Sequence, residues 1–429
     1  MKLFPHQEDA LKATEGQNRV AYYLDMGLGK TFVGSEKTMQ LGSNVNLVIC
    51  QKSKIDDWVE HFNEHYEVIV LNLTNKRSLE CFLEWSSKWI EFEKPLIGIV
   101  NYQTAWRRKD LLQLQNFTLM LDESSLIQNR KAKQSKFILS LNPSNVILLS
   151  GTPTSGKYEN LWTQIHLLGW DISEDVYNRQ YVNWVRKNFG GFVHKIVDKK
   201  NPYKNVDRLK SKLREHGGVF MKTEDVFDLP EQTFITINVP VIKEYKKFKK
   251  DCIVTIDDVE LIGDTTLTKM LYMRMLCGQY NKEKLEAFKD LVESTQDRLI
   301  VFYNFKEELK QLKKIAEELE RPVSEVNGQI KDLDAYETED DSITFVQFQA
   351  GSMGLNLQKA NKIIYFTLTQ SCENWMQSQK RTHRLGQERP CFYYLLICKN
   401  SIEEDIMKAL ESGVDFTNCL FEEGEKNER

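Results

Sequence analysis

The chain has 429 residues, of which 41% are hydrophobic and 28% are charged, and its formal net charge is −4. A chain of this length is too long for a single small domain and indicates two or three domains of roughly 100–200 residues each. No apolar run approaches the ~18–20 residues of a membrane helix, and the N-terminus lacks a signal-peptide core, so we expect no membrane partner. A net charge of −4 does not exclude nucleic acid, because local charge decides such binding.

The eight cysteines are scattered along the chain, and none forms a CxxC pair. Zinc sites and disulfide frameworks are recognised by regular cysteine spacing, which is absent here. We therefore expect reduced thiols in the core rather than a metal site or a disulfide frame.

The first part of the chain, 1–168, alternates apolar runs with longer amphipathic segments. Four of these runs have the length and composition of buried parallel strands: NLVIC (46–50), PLIGIV (95–100), FTLMLDE (117–123) and NVILLSG (145–151). The alternation predicts a doubly wound α/β sheet.

After residue 168 the strand signals become sparse, and aromatic residues mix with basic ones. We interpret 169–288 as a helical bridging or insertion region. A second α/β alternation, with strands predicted near 298–305, 342–349, 361–368 and 390–399, occupies 289–415. The acidic and polar end, 416–429, is predicted to be a flexible tail.

A glycine-rich loop, DMGLGKT (Asp25 to Thr31), stands between the apolar run VAYYL and a helix-like segment. A phosphate-binding loop needs glycines whose N–H groups wrap phosphate oxygens, a lysine for the β/γ charge and a hydroxyl for Mg²⁺. These parts are supplied by Gly27, Gly29, Lys30 and Thr31. Leu24 replaces the first glycine of the general pattern. A chance glycine-rich turn is the alternative, and the strand–loop–helix context disfavours it.

Two carboxylates, Asp122 and Glu123, follow the apolar strand of LMLDESS. Ligands of α/β sheets bind at the carboxyl ends of strands. Asp122 is then placed to help hold Mg²⁺, and Glu123 to activate water as a general base. The alternative is a helix-capping turn, since DESS is favourable N-cap chemistry. The loop roughly 90 residues upstream favours the first interpretation.

These motifs, in their order, resemble those of the Swi/Snf-related family of superfamily-two helicase-like ATPases. The resemblance covers the chain from Phe4 to about Ile406. The segments of the first part that match are PHQ (5–7), DMGLGKT (25–31), LVICQKSKIDDWVEHF (47–62), VNYQTAW (100–106), DESSLIQN (122–129) and LSGTPTSGKYENLW (149–162). Those of the last part are VFYNFKEEL (301–309), QAGSMGLNLQKANKIIYF (349–366) and QSQKRTHRLGQ (377–387).

The resemblance implies an α/β fold of two RecA-like parallel-sheet lobes with a helical insertion between them. It implies ATP as the nucleotide and Mg²⁺ as the metal, with Gln7 contacting adenine. The expected ATP-binding residues, besides Gln7, are Asp25, Met26, Gly27, Leu28, Gly29, Lys30, Thr31 and Gly354; Mg²⁺ is expected at Thr31 and Asp122.

The resemblance also implies the catalytic and coupling residues. Lys30 and Glu123 act in hydrolysis, and Arg381 and Arg384 of the other lobe are arginine fingers that neutralise charge on the γ-phosphate. The i,i+3 spacing of the two arginines predicts one shared helix face; a solvated basic face is the alternative. The expected coupling residues are Ser150, Thr152, Asn356 and Gln377.

The chain departs from the family in three places. Gln370, Ser371 and Cys372 stand where the family has Trp-Asn-Pro ahead of the last motif. Ser125 stands where the box usually has histidine, and Lys380 precedes the first finger in place of the common Asp or Gly. These departures leave the hydrolytic residues intact and concern the coupling of hydrolysis to DNA.

Basic residues in three places are candidates for DNA contact. Arg107 and Arg108 follow a motif whose family role is backbone contact, and Lys187 lies in the basic and aromatic stretch 184–214. The run Lys243 to Lys250 is a further candidate. For both longer stretches a solvated charged helix face is the alternative.

We therefore predict a DNA-dependent ATPase that translocates on duplex DNA or remodels DNA–protein complexes. A strand-separating or annealing helicase and a catalytically weak nucleic-acid-binding scaffold are the alternatives. The short chain resembles a minimal phage, viral or bacterial member, which predicts a monomer in the cytoplasm of a bacterium or an infected host. Duplex DNA is the expected partner, and protein partners stay unidentified.

Overall fold

The computed structural model describes residues 2–88, 93–189, 192–349 and 355–421. The chain divides into two compact units, the first comprising Met1–Val226 together with the end of the chain from Asp415, and the second Phe227–Val414. Each unit is built around one parallel-dominated sheet with helices, which confirms the predicted α/β fold with two lobes.

The first unit contains a seven-stranded sheet in the order β3-β4-β2-β5-β6-β1-β9, and every neighbouring pair in it is parallel. Its strands, followed by those of a separate hairpin, are β1 (Arg19–Leu24), β2 (Val45–Cys50), β3 (Ile69–Asn72), β4 (Leu96–Asn101), β5 (Phe117–Asp122), β6 (Asn145–Leu149), β9 (Gly218–Met221), and β7 (Trp184–Phe189) with β8 (Phe192–Val197).

The helices of this unit connect the strands, as parallel pairing requires. They are α1 (Pro5–Lys12), α2 (Lys30–Gln40), α3 (Ile55–His65), α4 (Lys76–Ser87), α5 (Tyr102–Ala105), α6 (Lys133–Leu139), α7 (Trp162–Leu167), α8 (Glu174–Tyr181) and α9 (Val206–Glu215). The central strands β2 and β4 are buried along their whole length, which explains their continuous apolar sequences.

The second unit contains a seven-stranded sheet in the order β10-β18-β17-β13-β16-β14-β15, in which only the edge pair β14–β15 is antiparallel. Its strands, followed by those of a second hairpin, are β10 (Gln232–Val239), β13 (Leu299–Tyr303), β14 (Val323–Val326), β15 (Lys331–Asp332), β16 (Ile343–Gln347), β17 (Lys362–Tyr365), β18 (Cys391–Cys398), and β11 (Ile253–Ile256) with β12 (Val259–Ile262).

The remaining helices are α10 (Lys243–Asp251), α11 (Thr266–Cys277), α12 (Lys282–Glu293), α13 (Lys306–Glu318), α14 (Asp334–Thr338), α15 (Cys372–Gln379) and α16 (Ile402–Phe421). Helix α16 extends into the segment 416–429 that is predicted to be a flexible tail. No helix in the described ranges is both long and apolar enough to cross a bilayer.

The segment 169–288 contains helices α8 to α11 and the start of α12, and also the six strands β7 to β12. It is therefore less helical than its sequence indicates. The boundary between the two compact units falls inside it, after Val226. Strands β9 and β10 extend the first and the second sheet respectively.

The carboxyl ends of parallel strands meet at one edge of a sheet, and in the first unit this edge gathers the predicted motifs. The loop after β1 begins at Asp25, β5 ends at Asp122, and Ser150 follows β6. Because β6 pairs with both β1 and β5, the three segments are neighbours.

Candidate ATP-binding site

The phosphate loop adopts the backbone that its glycines allow. Gly27 and Gly29 have φ angles of 90° and 73°, and Gly29 is the N-cap of α2. A Cβ atom at Gly29 would lie 2.2 Å from the side-chain nitrogen of Gln7. The conformation and the close approach both require glycine there. The loop therefore leads into the amino end of a helix, where N–H groups are available to an anion.

Lys30, the first residue of α2, places its ammonium over this loop. Its Nζ atom donates to the carbonyl oxygens of Leu24 at 3.0 Å and of Asp25 at 3.3 Å. A Cβ atom built on Gly151 would lie 3.4 Å from the same nitrogen. The ammonium is thus held between the ends of β1 and β6, and Thr31 follows it in the first turn of the helix.

Gln7 is 3% exposed and bridges α1 to the phosphate loop. Its Oε1 accepts from the N–H of Phe4 at 3.0 Å, and its Nε2 donates to the carbonyl oxygen of Leu28 at 3.2 Å. His6 Nε2 lies 3.1 Å from the same carbonyl. The glutamine predicted to contact adenine therefore also fixes the loop.

Asp25 joins the loop to a distant part of the chain. Its Oδ1 accepts from the N–H of Met26 at 3.0 Å, and its Oδ2 accepts from the Thr223 hydroxyl at 3.0 Å. The same hydroxyl lies 3.3 Å from the Met26 carbonyl oxygen. Thr223 follows β9, which pairs directly with β1. These bonds connect the phosphate loop at Asp25 and Met26 to the segment after β9.

Asp122 ends β5, where its Oδ2 accepts a hydrogen bond of 2.9 Å from Trp58 Nε1. Burial raises the pKa of the Asp122 carboxyl above its ordinary value, while the bond from Trp58 and the positive charges of Lys30 and Lys54 act in the opposite direction. The influence of Lys30 ties the acidic box electrostatically to the phosphate loop.

Glu123 has a left-handed backbone, with φ 53° and ψ 59°. This conformation is uncommon for residues other than glycine and stores strain that surrounding contacts must offset. The hydroxyl of buried Tyr102 donates to the Asp122 carbonyl oxygen at 2.8 Å and approaches that of Glu123 at 3.4 Å. The left-handed residue turns the chain directly after the strand.

The segment after β6 is tied to the acidic box by Gln164 of α7, which is fully buried. Gln164 Nε2 donates to the Pro153 carbonyl oxygen at 2.7 Å, and its Oε1 accepts from the hydroxyls of Ser124 at 2.9 Å and Tyr23 at 3.1 Å. One side chain therefore links β1, the acidic box and the SGTP segment.

The two predicted coupling residues of this segment lie beside that link. Ser150 and Thr152 are buried, and the Ser150 hydroxyl accepts from the Thr152 N–H at 3.1 Å. Ser125 of the acidic box is also buried. The hydrogen-bonded turn gives the segment a defined shape at the sheet edge.

In the second unit the predicted fingers do not lie on a helix. Helix α15 ends at Gln379, and Arg381 and Arg384 lie on the turns that follow. The prediction of a shared helix face is therefore wrong, because the helix ends before the first finger. Arg381 is only 4% exposed and its Nη1 approaches the Leu355 carbonyl oxygen at 3.4 Å, whereas Arg384 is half-buried.

The other predicted residues of this unit are placed differently. Gln377 is buried and its Nε2 approaches Glu373 Oε1 at 3.4 Å, while Asn356 is exposed. Gly354 lies outside the described residues. Gln387, which closes the motif, donates to the Ala360 carbonyl oxygen at 2.9 Å and fixes the loop that carries the arginines.

The three basic residues predicted to contact DNA differ in their exposure and in their contacts within the protein. Arg107 is exposed, with its guanidinium 5.2 Å from the centre of the Trp106 ring. Arg108 donates to the Thr74 carbonyl oxygen at 2.9 Å and is engaged within the fold. Lys187 is exposed on the β7–β8 hairpin, opposite His194.

Two places offer donor sets for a metal ion. Thr31 and Asp122 supply a hydroxyl and a carboxylate, the oxygen donors that suit Mg²⁺. The potential ligand atoms of buried Cys277, Cys398 and Glu403 lie within 4.8 Å of one another. Lys284 Nζ contacts both oxygens of Glu403, at 2.6 and 2.8 Å, so a cation already neutralises that carboxylate. Among the described residues this second group is an ion pair of the core.

Four contacts at the candidate site are not predicted from the sequence, those of Trp58, Tyr102, Gln164 and Thr223. Trp58 and Tyr102 lie within segments that resemble family motifs (47–62 and 100–106), so the sequence marks both residues. It does not show which groups they contact. Gln164 lies two residues after the segment LSGTPTSGKYENLW (149–162). Thr223 carries no local signal, since 198 positions separate it from Asp25.

Two family models match the chain. The model of the SNF2-related domain matches residues 23–287, and that of the helicase conserved C-terminal domain matches residues 283–386. The first includes the phosphate loop and the acidic box, and the second includes both predicted fingers.

Individual proteins show the same relationship. A mouse protein, "SWI/SNF-related matrix-associated actin-dependent regulator of chromatin subfamily A member 1", is 21% identical across 93% of this chain and 41% of its own length. Human "Chromodomain-helicase-DNA-binding protein 1" is 23% identical across 83% of this chain and 22% of its own length. The chain thus spans well under half of these relatives.

A viral relative has a length closer to that of this chain. The "Probable global transactivator" of Orgyia pseudotsugata multicapsid polyhedrosis virus is 22% identical, over 93% of this chain and 86% of its own length. Among solved structures, "Sulfolobus solfataricus SWI2/SNF2 ATPase core in complex with dsDNA" matches with a TM-score of 0.46 and 19% identity, over 96% of this chain and 91% of its own. The predicted family is confirmed by its model, which matches more than half of the residues: the chain belongs to the SNF2-related family.

Proposed function

We propose that the chain is a DNA-dependent ATPase that couples ATP hydrolysis to movement on duplex DNA or to remodelling of DNA–protein complexes. One observation carries the proposal: the ammonium of Lys30 lies between the ends of β1 and β6, and its charge acts on Asp122 at the end of β5. A cation for phosphate and a carboxylate for metal therefore share one sheet edge, which is where α/β sheets bind nucleotides.

The triphosphate of ATP binds at the amino end of α2 in this proposal. The N–H groups from Gly27 to Lys30 and the Lys30 ammonium neutralise the β- and γ-phosphates, and Gln7 fixes the loop while contacting adenine. Thr31 and Asp122 would hold Mg²⁺, which when bound neutralises charge on phosphate oxygens. Trp58 orients the Asp122 carboxylate for this purpose.

Glu123 orients and activates the attacking water as general base. Its left-handed backbone turns the chain directly after the strand and so places Glu123 at the strand end. Arg381 and Arg384 neutralise the charge that develops on the transferred phosphoryl group, and such arginines are worth about 10³–10⁵ in rate. The Gln164 link makes the SGTP segment sensitive to events at Glu123 and is the proposed route for coupling.

Membership of the family and the similarity to human Chromodomain-helicase-DNA-binding protein 1 support DNA as the track. Exposed Arg107 and Lys187 are available for phosphate contacts, and Lys187 shares its hairpin with exposed Arg186 and Lys195. Arg108 is not proposed as a direct phosphate contact, because it donates to the backbone carbonyl oxygen of Thr74.

Steady-state ATP turnover with duplex, single-stranded, forked and RNA substrates tests the proposal. We expect stimulation by duplex DNA, and turnover that is lost in Lys30→Ala. Strand displacement measured on the forked substrate separates a translocase from a strand-separating helicase. Absent turnover would favour the nucleic-acid-binding scaffold. Turnover that is unchanged in Lys30→Ala would contradict the proposed site.

A further inference from the structure

A groove of about 590 Å³ lies at the carboxyl edge of the second sheet. One wall is the end of β10 and the residues after it, 238–241. The second wall is α10, which contributes Lys246 and Lys249, and Lys399 and Asn400 follow β18 on the third side. We call it the lysine groove. Strands β10 and β18 pair in parallel along their whole length, so their carboxyl ends open on the same place.

The charge of the groove is uncompensated. Lys246, Lys249 and Lys399 are all exposed, and no aspartate or glutamate lines the groove. Within the part of the chain that the structure describes, none of the three ammoniums has a carboxylate within 4.0 Å. Lys243 on the same helix, by contrast, lies 3.7 Å from Glu244. The groove therefore concentrates three positive charges that the fold itself does not use for ion pairs.

The walls hold these lysines on a fixed backbone. Tyr245 and Phe248 bury the inner face of α10 in the core, where they are 1% and 0% exposed. The Tyr245 hydroxyl accepts from the N–H of Ile402 at 2.7 Å, which ties α10 to the start of α16. Lys249 Nζ approaches the Asn400 carbonyl oxygen at 3.4 Å across the groove. The lysines of α10 are therefore attached to a backbone that is anchored in the core.

We propose that the lysine groove binds the phosphodiester backbone of duplex DNA. Three exposed ammoniums around one groove suit a polyanion that passes along the surface, since lysine acts on phosphate as a point charge and each contact releases condensed counterions. The inference rests on the proposed function, because it supplies a grip on the track in the second unit. Of the basic run Lys243 to Lys250, the proposal assigns DNA contact only to Lys246 and Lys249, which line the groove.

Two triple variants with the same loss of charge test this inference in the full-length chain. Lys246→Gln, Lys249→Gln and Lys399→Gln remove the groove charges, whereas the control removes three lysines of α10 that do not line the groove: Lys243→Gln, Lys247→Gln and Lys250→Gln. Duplex binding is measured by fluorescence anisotropy from 50 to 200 mM salt, with circular dichroism and ATP binding as checks of folding.

We expect the groove variant to bind duplex DNA about tenfold or more weakly and to lower the slope of log K against log[salt] by about two, as the loss of two to three phosphate contacts requires. The control should change the slope by less than about one. Equal effects of the two variants would overturn the groove while leaving the proposed function in place. No duplex binding by the unmodified chain would overturn both.

Inorganic phosphate and ATP are added in a further arm to distinguish the backbone of DNA from a free phosphate. We expect millimolar phosphate or ATP to compete no better against the unmodified chain than against the groove variant. If phosphate or ATP displaced duplex DNA from the unmodified chain but not from the groove variant, the groove would be a site for a free phosphate compound. That result would contradict the proposal.

Discussion

The indole N–H of Trp58 donates to the Asp122 carboxylate at 2.9 Å, joining α3 to the end of β5. Asp122 is the carboxylate assigned to Mg²⁺, and burial raises its pKa above the ordinary value. The indole N–H favours the ionised form and holds one carboxylate oxygen in a fixed direction. In the proposed site Trp58 is therefore a positioning residue for the metal ligand Asp122.

Replacing Trp58 with phenylalanine keeps the ring and removes the donor. We expect the Mg²⁺ concentration for half-maximal ATP turnover to rise about tenfold, since loss of an outer partner of a metal ligand costs about 10–100-fold in affinity or activity. Trp170→Phe is the matched control, because Trp170 stacks on His216 instead. An unchanged Mg²⁺ requirement in Trp58→Phe would show that the bond does not act on the metal.

The two predicted fingers should behave differently when truncated. We expect Arg384→Ala to abolish hydrolysis while ATP binding and stability persist, because Arg384 is only half-buried. Arg381→Ala should abolish hydrolysis and also lower the melting temperature, because the buried Arg381 guanidinium contacts the Leu355 carbonyl oxygen. The measurements are ATP turnover, nucleotide binding and thermal unfolding.

Arg389→Ala is the control for these two variants, since exposed Arg389 lies just beyond the motif. It should retain turnover close to that of the unmodified chain. Wild-type turnover in Arg384→Ala would remove the role assigned to that arginine.

The buried ion pair of Lys284 and Glu403 predicts a strong asymmetry between single and double variants. Their side chains are 0% and 2% exposed. Lys284→Met leaves a buried carboxylate without its cation and should lower the free energy of unfolding by about 3–5 kcal/mol. The double variant Lys284→Met with Glu403→Leu should be more stable than that single variant. Urea denaturation measures the free energy of unfolding of the double variant and of each single variant, Lys284→Met and Glu403→Leu. If the effect of the double variant equalled the sum of the two single effects, the expectation would be contradicted.

His61 should make the stability of the chain depend on pH below neutrality. Burial, with a smaller effect of neighbouring His65, lowers the pKa of His61 from 6.5 to about 4. Between pH 6.5 and about 4 the unfolded state takes up a proton that the folded state does not, so stability falls as the pH falls through this window. Above pH 6.5 the effect vanishes.

The melting temperature measured against pH tests this effect. In His61→Gln, the part of the decline between pH 6.5 and 4 that belongs to His61 should disappear. The control is His194→Gln, at an exposed position of the β7–β8 hairpin. A pH profile of His61→Gln that parallels that of the unmodified chain would show that His61 does not cause the decline.

The buried strands were predictable because a parallel strand covered on both faces is a continuous apolar run. Strands β2, β4, β5 and β6 lie within one or two residues of their predicted positions. Strands β7 and β8 were not predicted, because an exposed hairpin such as WVRKNF with FVHKIV carries basic and aromatic residues on both faces. Its pairing is visible only in the structure.

The site was predictable where chemistry is local and unpredictable where it depends on distant contacts. Lys30 and Asp122 stand in motifs whose residue types reveal their chemistry. Thr223 reaches Asp25 only because the short strand β9 joins the sheet beside β1. Gly217 allows that approach, since a Cβ atom there would lie 2.4 Å from the Arg19 carbonyl oxygen. No periodicity in the sequence predicts a contact of this kind.

ATP turnover by the unmodified chain and by Glu123→Gln, each with saturating duplex DNA, tests the central claim most directly. Because Glu123 is the proposed general base, the variant should bind ATP and DNA with little change but lose turnover by about 10²–10⁴-fold. The unmodified chain should hydrolyse ATP faster with DNA than without it. DNA-independent turnover, or turnover by Glu123→Gln equal to that of the unmodified chain, would contradict the account of a DNA-dependent ATPase built on this sheet edge.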